Sequence, residues 1–333
     1  MTPKTNSRNG RLDSIKFFLI ILVAFGHLIE SSNRGDAGTA LYSIIYAFHM
    51  PLFVLLSGYF TNVTDIQKLH KRTLMLIETY VVVMGLQFLY FRGIGQLFVG
   101  ENSGWYLISL VTWSYIAFGL SKLGITLPHL LIFSIVISYI CFGFGFGKYE
   151  VLFSYMRTTQ FLPFFICGYI LKCREMKLIE GHKLCKILAT ILLLVVMAGL
   201  FYYSGRTLHV FEFHRNGLQT LMAQSSLSIT ATYAVNSIVY LVAAYFCFYI
   251  IKILPLPEVF AKYGRYSLVF YTMQGVFGHV FAKWYQPNLL ESTLFTLVLI
   301  LSTCLICDRG FGPYVTNPIS TFIKIKNHGI IKQ

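Results

Sequence analysis

The sequence predicts an all-α, polytopic membrane protein with about ten transmembrane helices in one bundle. Three observations carry this. Of 333 residues, 56% are hydrophobic and 12% charged, with a mean hydropathy of +0.65, whereas soluble domains carry about 25% charged residues. Apolar runs long enough to cross a hydrocarbon core of about 30 Å recur almost without pause. The cations sit in short loops between those runs, which is the positive-inside pattern. The net charge of +14 therefore argues for membrane orientation and against a nucleic-acid surface.

Helices are expected near 14–31, 41–61, 73–92, 104–121, 126–146, 157–173, 184–203, 230–251, 263–284 and 288–307. The first run follows a basic N-terminus, but Glu30 and Ser31 stand where a small-residue cleavage site would be, so it is expected to stay as a membrane helix. The second contains Pro51, which frees a backbone carbonyl and kinks a helix; this is tolerated only against protein or a wet cavity. The longest outer loop, about 204–229, holds Arg206, His209, Glu212, His214 and Arg215.

Loop charge orients the bundle. On one side fall the N-terminus, Lys68 to Arg72, Lys122, Lys172 to Lys186, Lys252, Lys262, Arg265 and the C-terminal cations, which is 20 of 27. That side is expected to be cytoplasmic, with both termini on it. The reading is one membrane domain over 1–333, with 1–10 a flexible cytoplasmic tail and 308–333 a C-terminal cytoplasmic tail. Seven cysteines are scattered, and Cys304-x-x-Cys307 is an isolated pair, so free thiols and no metal site are expected.

Ionisable residues inside a membrane are functional-site candidates. Lys16 and His27, in the first run, are eleven positions apart, about three turns. They lie nearly on one face, roughly 16 Å apart along the axis. A cation at the surface with a histidine deep on the same stripe can hold a long charged cofactor by its tail and act on its tip. His27 can equally be a helix-to-helix hydrogen-bond partner. Asp13 can pair with Lys16 or with Arg11.

A second constellation is Phe48-His49-Met50-Pro51-Leu52-Phe53 followed by Ser57-Gly58-Tyr59, where Ser57 and Gly58 make a small, close-packing spot; ordinary packing with a satisfied His49 is the competing reading. A third is Lys68, Lys71 and Arg72 at a helix mouth, either a plain positive-inside cluster or a clamp for phosphates. Trp105 reads as an interfacial anchor or an acceptor contact.

The order of these motifs, continued by Trp105-Tyr106-Leu107, Arg157, Phe161-Leu162-Pro163-Phe164-Phe165, Gly168-Tyr169 and Tyr263-Gly264-Arg265-Tyr266-Ser267 with Tyr271, resembles the acyltransferase-3 family of integral membrane O-acyltransferases, especially the branch that modifies bacterial cell-surface polysaccharides. The resemblance runs over roughly residues 10–300. The family pattern places a basic residue about ten positions ahead of a first-helix histidine, here Lys16 and His27. Its cytoplasmic pair of arginines three apart is met by Lys68 and Lys71, with Arg72 adjacent. Many members carry a histidine after the late tyrosine; here Gln274 stands at about that place.

What the resemblance implies is an O-acyltransferase of the bacterial inner or plasma membrane, using acetyl-CoA or another acyl-CoA as donor and a cell-surface or lipid-linked sugar as acceptor (capsule, O-antigen and exopolysaccharide all fit). His27, with Lys16, is the implied catalytic set, His27 as base, since imidazole titrates near neutrality. Lys16, Lys68, Lys71 and Arg72 are implied to hold the anionic end of acyl-CoA. His49, Ser57, Trp105 and Arg157 are the acceptor-binding candidates. Direct transfer and an acyl-histidine relay both remain open, as does succinyl in place of acetyl. The rival reading is an exporter or flippase of polysaccharide or lipid-linked sugar, weakened by the lack of inverted repeats. A metal-dependent glycosyltransferase fits less well, because the 13 acidic residues form no Asp-x-Asp pair.

Overall fold

The computed structural model describes residues 10–30, 35–62, 65–91, 104–144, 154–173, 183–204 and 216–323. The described residues are predominantly helical, and none of them forms a strand. In chain order the elements are α1 (Gly10–Glu30), α2 (Gly35–Phe60), α3 (Ile66–Phe91), α4 (Trp105–Lys122), α5 (Leu127–Gly143), α6 (Tyr155–Cys173), α7 (Lys183–Ser204), α8 (Leu218–Ser225), α9 (Ile229–Lys252), α10 (Val259–Gly264), α11 (Ser267–Met273), α12 (His279–Tyr285), α13 (Leu289–Asp308) and α14 (Gly312–Thr316). Each of the ten expected helices has its counterpart. By length and hydropathy alone, six can cross a membrane: α1, α2, α3, α7, α9 and α13. The chain is an all-α polytopic membrane protein.

Three details differ from the sequence expectation. The single helix expected at 263–284 is interrupted: a π-helical turn, Gln274–Gly278, joins α11 to α12. The outer loop contains the short helix α8, which packs its Leu218 and Leu221 on Phe142 and Val239. The charged part of that loop, Arg206 to Arg215, lies outside the described residues, as do residues 1–9. Past α13, α14 and the helical residues 318–323 dock back on the bundle. Thr79 Oγ1 donates to the Thr316 carbonyl at 2.9 Å, and Ser320 donates its backbone N–H to Glu78 at 3.1 Å.

The helices divide by what covers them. About two thirds of the α1 span and 72% of the α2 span are buried, against none of α7 and 28% of α13. α7 and α13 therefore present Leu, Ile and Val outward, as lipid-facing helices do, while α1 and α2 form the interior. Lipid tails are as apolar as leucine, so burial of apolar area does not hold such helices together. Close packing and interhelical hydrogen bonds do.

The α2–α6 crossing shows the packing. A Cβ on Gly58 would strike the backbone carbonyl of Phe165, and one on Gly168 would strike that of Leu55. The two helices touch backbone to backbone at reciprocal glycines, as the close-packing reading of Ser57-Gly58 expects. α2 runs on through Pro51, which is buried against protein. The α1–α10 contact uses the same device, Gly264 lying on the backbone of Asp13. That gives a packing reason for the glycine of Tyr263-Gly264-Arg265. Nearby, Arg11 donates to the carbonyls of Ile250, Ile251 and Leu254 at 2.9–3.3 Å. A cation at the carbonyl end of α9 satisfies orphan acceptors and complements the helix dipole.

Candidate active site

α1 rises from Lys16 to His27, and α2 returns alongside it, so that His49 lies toward the His27 end and Ser57 toward the Lys16 end. Two polar clusters result, one at each end of this helix pair.

The first cluster surrounds a cavity of about 140 Å³ lined by Lys16, Ser57, Phe60, Arg72, Tyr106 and Tyr271, among others. Its residues come from α1, α2, α3, α4 and α11, so only tertiary folding assembles it. Lys16 Nζ is 2.6 Å from Asp13 Oδ1 and sits 4.2 Å from the centroid of the Phe60 ring. Of the two partners open to Asp13, the lysine takes it. Arg72 Nη1 donates to Thr61 Oγ1 at 2.9 Å. Thr61 in turn donates to the Ser57 carbonyl at 2.6 Å, and its own carbonyl accepts from Lys172 Nζ at 2.8 Å. Ser57 Oγ donates to the Phe53 carbonyl at 2.8 Å and lies 2.5 Å from the Tyr106 hydroxyl. Two cations, Lys16 and Arg72, thus face a cavity whose largely apolar lining carries the hydroxyls of Ser57, Tyr106 and Tyr271, with one carboxylate, Asp13, to offset the charge. The cavity suits an anion at its mouth and an uncharged arm within.

The second cluster is aromatic and titratable. His27 Nδ1 lies 3.5 Å from Glu30 Oε2, which also accepts from the Tyr46 hydroxyl at 2.8 Å. The Tyr46 ring packs edge-on against His49 at 4.6 Å. His49 is buried, with Nδ1 2.7 Å from the Ile45 carbonyl. Since a carbonyl only accepts, Nδ1 carries the proton and Nε2 is the acceptor. Glu30 lies within ion-pairing distance of His27 and can stabilise the charged form of the ring. Arg157 lies over the Trp105 ring, 5.2 Å from its centroid, and Trp105 stacks on Phe161 at 5.6 Å. Trp113, fully buried on α4, donates Nε1–H to the Thr158 carbonyl at 2.7 Å and so fixes the turn that carries Arg157. Arg157 stands within electrostatic range of both Tyr46 and Tyr271, one in each cluster.

The site residues expected from sequence separate accordingly. Lys16, Arg72 and Ser57 share the first cavity. His27 and His49 share the second cluster, with Trp105 and Arg157 beside it. Lys68 and Lys71 do not enter the cavity. Lys68 is exposed and pairs with Asp65 at 3.2 Å, and Lys71 is exposed on the same turn. Four participants escaped the sequence reading of the site. Glu30 was signalled by its i, i+3 spacing from His27. Tyr106 and Tyr271 stood inside quoted motifs without a role. Thr61 carried no signal.

A family profile described as an acyltransferase domain, the acyltransferase-3 family, matches residues 9–308. The chain belongs to this family. That coverage takes in both polar clusters and every helix from α1 to α13. A curated relative, nodulation protein NolL of Sinorhizobium fredii strain NBRC 101917 / NGR234, is 41% identical over 63 residues. That stretch is 18% of this chain and 17% of the relative, so the likeness covers less than a fifth of either protein. No solved structure matches the chain. The chain therefore carries an acyltransferase domain, and both clusters lie within it.

Proposed function

We propose that the protein moves an acetyl or related acyl group from cytosolic acyl-CoA to a hydroxyl of a cell-surface or lipid-linked sugar, across a bacterial cell membrane. The observation that carries this reading is the two-cluster arrangement itself. A cavity with Lys16 and Arg72 at one end of α1 is followed, about 16 Å further along the helix, by a histidine beside a carboxylate. The phosphates of acyl-CoA meet the cations, and exposed Lys68 and Lys71 add attraction at the cytoplasmic mouth. The slender uncharged arm enters past Ser57 and Tyr106, toward Tyr271. His27 takes the proton of the sugar hydroxyl as that oxygen attacks the thioester carbonyl, and Glu30 stabilises the imidazolium that forms. Arg157 and Trp105 offer a cation and an aromatic face to the sugar, and His49 Nε2 offers an acceptor.

The test is chemical. Wild type and His27→Ala are expressed in a host that makes a surface polysaccharide, and O-acetyl signals are read by proton NMR before and after mild alkali. The expected result is a base-labile acetyl in wild type, reduced about 10²–10⁴-fold in the variant, the range for a lost general base, with polymer yield unchanged. Equal acetylation in both strains would remove His27 from the chemistry. Loss of surface polymer without loss of acetylation would favour export.

A further inference from the structure

Six buried side-chain atoms among the described residues have no hydrogen-bond partner. Three belong to one turn of one helix: the Tyr271 hydroxyl, and Nε2 and Oε1 of Gln274. Tyr271 is 6% exposed and Gln274 1%. Burying polar groups without partners costs stability, so each such group calls for a partner, which a ligand or a reaction can supply.

Their placement says what that partner is. Tyr271 lines the cavity with Lys16 and Arg72. Gln274 follows three residues later, on the same helix face, where α11 gives way to the π-helical turn Gln274–Gly278. That turn packs against α1, the helix of Lys16 and His27, and against α3, the helix of Arg72. π-turns inside helices recur at functional sites. This one is held in place from outside, since Gln87 Nε2 on α3 donates to the Gly275 carbonyl at 2.7 Å. The Gly275 carbonyl thereby gains a partner, while the Gln274 amide has none. The other phenol in the cavity differs. Ser57 spends its proton on the Phe53 carbonyl, so the Tyr106 hydroxyl donates to Ser57. Tyr271 is the phenol whose proton is uncommitted.

We propose that the Tyr271 hydroxyl and the Gln274 amide form the oxyanion site of the acyl transfer. This rests on the acyl-thioester reading above. The acceptor oxygen bonds to the thioester carbonyl carbon, and its proton passes to His27. The carbonyl electron pair moves onto oxygen, where the Tyr271 O–H and the Gln274 N–H stabilise it. On collapse the C–S bond breaks, and the thiolate leaves and takes the proton from His27. Tyr271 and Gln274 exchange no atoms. They donate hydrogen bonds that strengthen as charge develops, which is how such donors act.

The experiment uses the full chain reconstituted in vesicles prepared from membranes of a polysaccharide-producing host. Radiolabelled acetyl-CoA is the donor, and base-labile acetyl is the product counted. Tyr271→Phe and Gln274→Leu are each expected to lower kcat about 10²-fold, the scale of one lost oxyanion donor, with the acetyl-CoA KM unchanged. Because each variant removes an unsatisfied buried group, its Tm should equal or exceed that of wild type. A merely structural role predicts the reverse, a loss of turnover that follows a fall in Tm, and that result overturns the assignment. So does full turnover in both variants, or a raised KM at unchanged kcat. A wild type that neither binds nor consumes acetyl-CoA overturns the donor reading, and the oxyanion site with it. A wild type that transfers acetyl alongside equally active variants overturns the oxyanion site alone.

Discussion

The hydroxyls of Ser57 and Tyr106 lie 2.5 Å apart, joining α2 to α4 inside the cavity that also holds Lys16 and Arg72. The two residues are 49 positions apart in sequence, and both are buried. Neighbouring groups set the direction of the bond, with Tyr106 donating and Ser57 accepting. The pair is therefore an interhelical tie as much as a cavity wall.

Breaking that tie should cost a modest, shared amount. Tyr106→Phe and Ser57→Ala are each expected to destabilise the protein by about 1 kcal/mol, the net worth of one buried hydrogen bond. The double variant should lose little more than either single one, because they share one interaction. Thermal melting of the four proteins in detergent checks this. Fully additive losses would mean that the hydroxyls do not interact.

Arg72 and Lys71 are adjacent in sequence but differ in reach. Arg72 enters the cavity, while Lys71 stays exposed. Arg72→Ala is expected to raise the acyl-CoA KM roughly 10–100-fold, the loss of one charge-assisted hydrogen bond. Arg72→Lys should recover only part, since a point charge does not replace the guanidinium fork. Lys71→Ala should change KM by no more than about 3-fold, and that effect should fade as salt is raised. Steady-state kinetics at two ionic strengths separates the two cases.

The reciprocal glycines of the α2–α6 crossing leave no room for a side chain. Gly168→Ala is expected to destabilise by about 1–3 kcal/mol, the usual range for overpacking, and Gly168→Leu more. Gly199, on α7, has open space where a Cβ would stand and serves as the control. The yield of monodisperse protein in detergent should fall in the order Gly199→Ala, Gly168→Ala, Gly168→Leu.

Asp65 opens α3. Its carboxylate accepts the backbone N–H groups of Gln67 and Lys68 at 3.0 and 3.1 Å and pairs with the Lys68 ammonium. The Lys68 N–H, with that ammonium, holds the carboxyl below its ordinary value. A depressed folded pKa means the stabilisation is present above the unfolded pKa, about 3.9, and is lost as pH falls through the folded value. Asp65→Asn should therefore melt below wild type at neutral pH, and the gap should close on acidification below about pH 4. A gap that stays constant with pH would mean that the carboxylate charge contributes nothing at this cap.

Hydropathy and loop charge determined the helical membrane class and the approximate span positions, because a bilayer admits only helices and closed barrels, and apolar runs of about 20 residues fit the helix. The ordered motifs pointed to the family and to Lys16, His27, His49, Ser57, Lys68, Lys71, Arg72, Trp105 and Arg157, of which Lys68 and Lys71 stay outside the cavity. Helical periodicity relates residues on one helix, so the Lys16–His27 stripe was read; the i, i+3 spacing of His27 and Glu30 carried the same kind of signal but was not used. Contacts between helices have no such period. Only the tertiary structure decided that Asp13 takes Lys16 rather than Arg11, that Arg72 alone of its cluster turns inward, and that Tyr106 spends its proton on Ser57. The π-turn after Met273 was hidden for the same reason: its Gly275 carbonyl accepts from Gln87, 188 positions away, and no local pattern announces a contact between helices.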